Sequence, residues 1–148
     1  ISRPINSSAA LSSTTAMRPT FVADLAGTYV FSLQVNDGKL DSNLSYVTYT
    51  AGAANVAPVA NAGSAQTVVR GATVTLDGTG STDANGDTLL YRWTLTFRPT
   101  GSTAALSLST LARPTFVADV AGVYVATLVV NDGSLDSTIT TVAVTATP

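Results

Sequence analysis

The 148-residue sequence predicts an all-β chain of two-sheet antiparallel sandwich type, with one complete copy and one carboxy-terminal half copy. Three observations carry that expectation. From Leu90 to Arg98, Tyr91, Trp93, Leu95 and Phe97 alternate with Arg92, Thr94, Thr96 and Arg98, a period of two that marks a strand with one buried face. The chain is rich in Thr, Ser, Ala, Val and Gly and has no long run of helix formers, which favours strands. It also repeats itself at the length of one sandwich domain.

The repeat is read directly. Arg18-Pro19-Thr20-Phe21-Val22-Ala23-Asp24 recurs as Arg113-Pro114-Thr115-Phe116-Val117-Ala118-Asp119, and Val35-Asn36-Asp37-Gly38 recurs as Val130-Asn131-Asp132-Gly133. The offset, about 95 residues, holds without a gap from Ile1 to Pro148, with about 30 of 53 aligned positions identical. Residues 1–50 therefore read as the back half of one domain, 51–57 as a linker, and 58–148 as a complete domain. The first copy lacks the equivalent of Pro58–Leu95.

Within the complete copy the elements follow in order. Gln66–Val69 reads as an edge strand, and Thr73–Leu76 as a strand burying Val74 and Leu76. Asp77–Asp87 is a turn-rich loop, and Leu89–Phe97 is the strand of the only tryptophan. The ring of Trp93 brings the largest single apolar area in the chain, so the domain is expected to pack around it. Ala104–Leu108 and Thr115–Ala118 read as short strands. Val123–Val130 is long and apolar, and Ser137–Thr145 returns beside it, with Asn131-Asp132-Gly133 closing the hairpin. Comparison of the copies places Tyr124, Ala126, Leu128 and Val130 inside, with Tyr29, Phe31, Leu33 and Val35 as their counterparts. The opposite face, Val123, Val125, Thr127 and Val129, reads either as solvated strand surface or as a contact for another domain or chain.

Composition excludes much chemistry. The chain has no His, Cys or Glu and only one lysine, Lys39. A Ser-His-Asp triad, a thiolate nucleophile, a disulfide and a histidine or cysteine zinc site are all impossible. Net charge is −2, without a basic patch, so no nucleic-acid partner is expected. No apolar run reaches the ~18 residues of a membrane helix, and no membrane insertion is expected. With neither an initiator Met nor a signal peptide, the chain is expected to be a mature or excised piece of a longer protein.

The motifs Asn55-Val56-Ala57-Pro58-Val59-Ala60-Asn61-Ala62-Gly63, Thr73-Val74-Thr75-Leu76-Asp77-Gly78, Tyr91-Arg92-Trp93, Ala121-Gly122-Val123-Tyr124-Val125 and Val130-Asn131-Asp132-Gly133 resemble the polycystic-kidney-disease (PKD) repeat family. The likeness is to its bacterial extracellular branch, similar to repeats of a dyslexia-associated membrane protein. It spans Asn55 to the carboxy terminus fully and Ile1–Thr50 as a half. The Trp-Asp-Phe-Gly-Asp-Gly run of many PKD domains is absent; Trp93 is followed by Thr94-Leu95-Thr96. The resemblance implies an immunoglobulin-like sandwich of two antiparallel sheets. It further implies a non-enzymatic spacer or adhesion module of a secreted or cell-surface protein. A fibre subunit and a substrate-binding accessory domain of a secreted hydrolase are the alternatives. For the accessory domain, with a polysaccharide as partner, an exposed aromatic row would be needed, and Tyr46 and Tyr49 are the candidates.

Asp83-Ala84-Asn85-Gly86-Asp87 is the densest oxygen cluster. Its alternate side-chain oxygens read either as part of a calcium site, which needs about six to eight oxygens, or as a plain turn. The PKD resemblance implies calcium held by Asp83, Asn85 and Asn55, and the spacing adds Asp87. Tyr29 and Tyr124 fit tyrosine corners, whose hydroxyls bond back to the chain. Arg18 and Arg113 read as apolar-surface covers rather than ligand binders. The repeated carboxylates Asp24/Asp119 and Asp37/Asp132 neighbour turns, which argues against catalysis.

Tyr29, Phe31, Leu33 and Val35 pose the problem of the half copy. Burial of each is worth roughly 1.5–3 kcal/mol, together about 6–12 kcal/mol, comparable to a whole domain's stability. The partner expected for residues 1–50 is therefore protein, neighbouring repeats or another chain: a second polypeptide supplies the front strands, or the half packs in a different, assembly-specific way, with strand donation between filament subunits as the rival explanation.

Overall fold

The computed structural model describes every residue from Ile1 to Pro148 and contains eight strands and no helix. The chain divides into two compact units, Ile1–Asn55 and Val56–Pro148.

The first unit holds β1 (Gly27–Leu33) and β2 (Ser45–Ala51), an antiparallel pair with Gly27 opposite Ala51 and Leu33 opposite Ser45. Single bridges join Ser2 to Val30 and Leu11 to Phe21. This is a two-stranded sheet with loops laid on one side. Tyr29 is fully buried, but Leu33 is 63% exposed.

The second unit holds β3 (Gln66–Val69), β4 (Thr73–Thr75), β5 (Leu90–Phe97), β6 (Thr115–Val117), β7 (Gly122–Asn131) and β8 (Thr140–Thr147). One sheet has the order β3-β8-β7-β5; the other is the pair β4-β6. The chain changes sheets between β3 and β4. Arg70 N–H still donates to Thr147 of the first sheet (2.8 Å), while Gly71 N–H donates to Ala118, just beyond β6 (2.8 Å). Gly71 sits at φ +87°, a left-handed conformation that glycine adopts without a Cβ penalty.

The core lies between these sheets. Trp93 is 2% exposed, packed with Val74, Leu76, Phe116, Tyr124, Ala126, Leu128, Val130, Val142 and Val144. Alternation along β7 puts Tyr124, Ala126, Leu128 and Val130 inside, as the comparison of copies predicts. Val125, Thr127 and Val129 on the other face are half-buried and Val123 is exposed. The architecture is an all-β, immunoglobulin-like sandwich.

Four expectations need correction. β3 runs parallel to β8, so the larger sheet is mixed rather than wholly antiparallel. Phe97 is 56% exposed: Leu95 faces Ala126 and Phe97 faces Val125, so the strand bulges there and the alternation flips. Ala104–Leu108 is not a strand. Its backbone is held instead by point contacts, Ala104 C=O accepting from Arg98 (2.6 Å) and Ser107 N–H donating to Thr115 C=O (2.7 Å). The last strand begins at Thr140 rather than Ser137. Ser137 does meet Val130, through N–H to C=O (2.8 Å), but its hydroxyl turns to accept the Val130 N–H (3.0 Å), which ends the ladder there.

Candidate functional site

The Asp83–Asp87 loop follows the bridge between Val59 and Thr82. Asp83 Oδ1 accepts the N–H groups of Asn85 (2.8 Å) and Asp87 (3.0 Å), the geometry of an Asx turn. Gly86 has φ +80° and completes the reversal. Asn85 Oδ1 accepts the N–H of Val56 (2.8 Å), tying the loop to the start of the second unit. Of the four expected cation ligands, the structure gathers Asp83, Asn85 and Asp87 in one loop, while Asn55 is the last residue of the first unit. One atom fits a cation: Asp83 Oδ2 is buried without a hydrogen-bond partner. A buried carboxylate oxygen left alone is costly, and a cation would satisfy it.

A second polar constellation is built twice. In the complete copy Asp119 Oδ1 accepts from Ser102 Oγ (2.5 Å), and Asp119 Oδ2 from the N–H (2.7 Å) and hydroxyl (3.0 Å) of Thr103. The Tyr124 hydroxyl lies 3.0 Å from the same carboxylate and 2.7 Å from the Val120 carbonyl, and accepts the Val120 N–H at 2.9 Å. This is the tyrosine corner expected from the sequence, extended by a carboxylate. In the half copy Asp24 accepts from Ser7 Oγ (2.6 Å), Ser8 N–H (2.6 Å) and Ser8 Oγ (2.7 Å), with the Tyr29 hydroxyl 3.1 Å away. Hydrogen bonds from Ser102 and the Thr103 backbone hold Asp119 far below the usual carboxylate range, and those from Ser7 and Ser8 do the same for Asp24. Carboxylates held ionised in this way at neutral pH serve as anchors for the chain. Sequence reasoning placed the aspartates near turns but missed their hydroxyl partners. The signal was available, since Ser7/Ser102 and Ser8/Thr103 keep a hydroxyl at both ends of the repeat offset.

The remaining repeated polar residues are also engaged locally. Asp132 Oδ1 accepts from Ser134 and Leu135 N–H (both 2.7 Å), and Asp37 Oδ1 from Lys39 and Leu40 (both 2.9 Å). Arg113 approaches Asp77 at 3.5 Å on the surface, and Arg92 approaches Asp136 at 3.1 Å.

The first unit carries a third feature, an open apolar hollow of about 610 Å³. Leu11, Met17, Phe21, Phe31, Leu33 and Val47 line it. Phe21 stacks at a tilt on Phe31, with centroids 4.6 Å apart, and meets Tyr49 edge-on at 5.4 Å. Tyr46 and Tyr49, three positions apart on β2, point to opposite faces and do not make an aromatic row.

The sequence matches the K319L-like PKD domain family over residues 62–146, more than half of the chain. The chain belongs to the PKD family. Among solved structures, the PKD domain from KIAA 1837 protein superposes with a TM-score of 0.50 at 28% identity, over 64% of this chain and 91% of that one. A nucleoside hydrolase-related hypothetical protein from Saccharophagus degradans, associated with carbohydrate metabolism, superposes with a TM-score of 0.54 at 25% identity. That match covers 64% of this chain and 26% of the other, so the chain spans about a quarter of that longer protein. No match is found among curated proteins. A PKD domain is a β-sandwich module, and its family is generally non-catalytic and often extracellular.

Proposed function

We propose that this PKD chain is a non-enzymatic spacer module of a secreted or cell-surface protein. The observation that supports it is duplication of the frame: the same corner, the same Asx turns and the same hairpin recur 95 residues apart. A unit that repeats its scaffold, and engages its repeated carboxylates in that scaffold, suits the extension of a surface protein. The ten residues of β7 set a repeat length of roughly 33 Å from strand rise. Electron microscopy of the native protein tests the reading. Beads at about that spacing along a rod are expected; a compact particle would overturn it, and a polymer built from separate subunits would favour the fibre reading.

Calcium is part of this proposal. Asp83, with Asn85, Asp87 and Asn55, would supply oxygen ligands, and the buried Asp83 Oδ2 is the atom that favours a cation. Calorimetry with calcium and with chelator should show a higher melting temperature with the ion, and none of that rise in Asp83→Asn. An unchanged melting temperature in the native sequence would remove the site.

A further inference from the structure

We propose that Asn85-Gly86 is a site of self-modification, where ring closure of Asn85 onto the Gly86 nitrogen converts the Asp83–Asp87 loop from two carboxylates to three. It depends on neither the spacer reading nor the calcium reading, since only this dipeptide and the groups around it take part.

The reaction needs a side-chain amide, a following backbone nitrogen at liberty to attack it, and room. Asn85-Gly86 is the only Asn-Gly pair in the chain. Both residues are exposed, and a methyl group at Gly86 would meet nothing within 4 Å. No side chain therefore shields the nitrogen or blocks the departing group.

The nitrogen sets this pair apart from its look-alikes. Asp37-Gly38, Asp77-Gly78 and Asp132-Gly133 could close the same ring through a carboxyl group. Each glycine N–H there is engaged: Gly38 donates to Asn36 Oδ1 (2.6 Å), Gly133 to Asn131 Oδ1 (2.7 Å) and Gly78 to the Ala112 carbonyl (2.9 Å). In the Asp83–Asp87 loop, Asp83 Oδ1 takes the N–H groups of Asn85 (2.8 Å) and Asp87 (3.0 Å) and passes over the one between them. Gly86 N–H donates to no group of the chain.

The amide is held ready by Val56, whose N–H donates to Asn85 Oδ1 at 2.8 Å. Attack on Asn85 Cγ moves negative charge onto that oxygen, and a fixed N–H donor stabilises charge that develops there. The Gly86 nitrogen bonds to Cγ and gives up its proton; the Cγ–Nδ2 bond breaks, and Nδ2 leaves as ammonia with that proton. Water then opens the succinimide at either carbonyl. One opening gives aspartate, the other isoaspartate, whose backbone runs through Cγ. Water is the only other reactant, and nothing is oxidised or reduced. Either product adds one negative charge to the net −2 of the chain, in the loop of Asp83 and Asp87.

The test ages the full 148-residue chain in mildly alkaline buffer, folded and in concentrated urea, and follows it by peptide mapping with mass spectrometry. Conversion at Asn85 to both aspartate and isoaspartate is expected, with the other asparagines intact and a folded-state rate at least equal to the rate in urea. No conversion at Asn85, aspartate without isoaspartate, or a folded rate below the urea rate by about tenfold, more than one hydrogen bond's net worth, overturns the proposal. Val56→Pro removes the donor to Asn85 Oδ1. It should slow conversion in the folded chain about two- to tenfold, the worth of one hydrogen bond, and leave the rate in urea unchanged. An equal or faster folded rate in that variant overturns the part assigned to Val56. If a melt shows Val56→Pro unfolded, the native chain's folded and urea rates decide the matter.

Discussion

Leu33 and Leu128 are the same residue at the same place in the repeat, and truncating each to alanine should give opposite results. Leu128 is fully buried, beside the Trp93 ring. A methyl group at Gly78 would come within 3.2 Å of both the Leu128 and the Trp93 side chains, so the core is closely packed around them. Leu128→Ala should therefore cost about 3–5 kcal/mol, toward the upper part of the range for buried leucine. Leu33 is 63% exposed, so little more than a third of its side chain leaves water. A third of the roughly 1.5–3 kcal/mol for full burial gives below about 1 kcal/mol for Leu33→Ala. Trp93 is the only tryptophan and lies in the complete copy, so its fluorescence in a urea titration reports that unit. With a slope of about 1–3 kcal/mol per molar, Leu128→Ala should lower the midpoint by about 1 M or more. Leu33→Ala should leave the tryptophan midpoint in place. A shift from Leu33→Ala as large as that from Leu128→Ala would refute the reasoning, because it would mean that Leu33 is packed in the core that Trp93 reports.

Two further outcomes are expected. Tyr124→Phe removes the hydroxyl that accepts the Val120 N–H and should cost about 1–3 kcal/mol in chemical denaturation, with little change in secondary structure. For acid, hydrogen bonds from Ser102 and Thr103 depress the folded-state pKa of Asp119, so the unfolded chain binds its proton more readily. Its contribution is complete above the ordinary aspartate value of about 4 and disappears as pH falls below it. Melting temperature followed from pH 7 to pH 2 should drop below about pH 4, and less steeply in Asp119→Asn.

Much of the fold was legible in short-range pattern. The Tyr91-Trp93-Leu95 alternation located β5 and its buried face, and comparison of the copies identified the inner face of β7. What stayed hidden depended on partners distant in sequence. The direction of β3 is set by a strand more than 70 residues away, and no alternation in Gln66–Val69 encodes it. Thr96 and Phe97 look like the next steps of a regular strand; the bulge that turns Phe97 outward arises from register with β7. Ala104–Leu108 has strand-like composition, but only point contacts hold it. The candidate cation loop was visible because its residues are contiguous. The hydroxyl anchors of Asp119 were not, because Ser102 lies 17 residues upstream and only the paired copy at Ser7 marks it.

The parallel pairing of β3 with β8 has a mechanical consequence. These are the first and last strands of the second unit, and they lie side by side with Gln66 against Val144 and Val69 against Thr147. Tension applied at the two ends of that unit drags them past one another along their length. All their rungs must then fail together instead of opening one at a time, so the direction in which load enters this sheet makes it resist stretching.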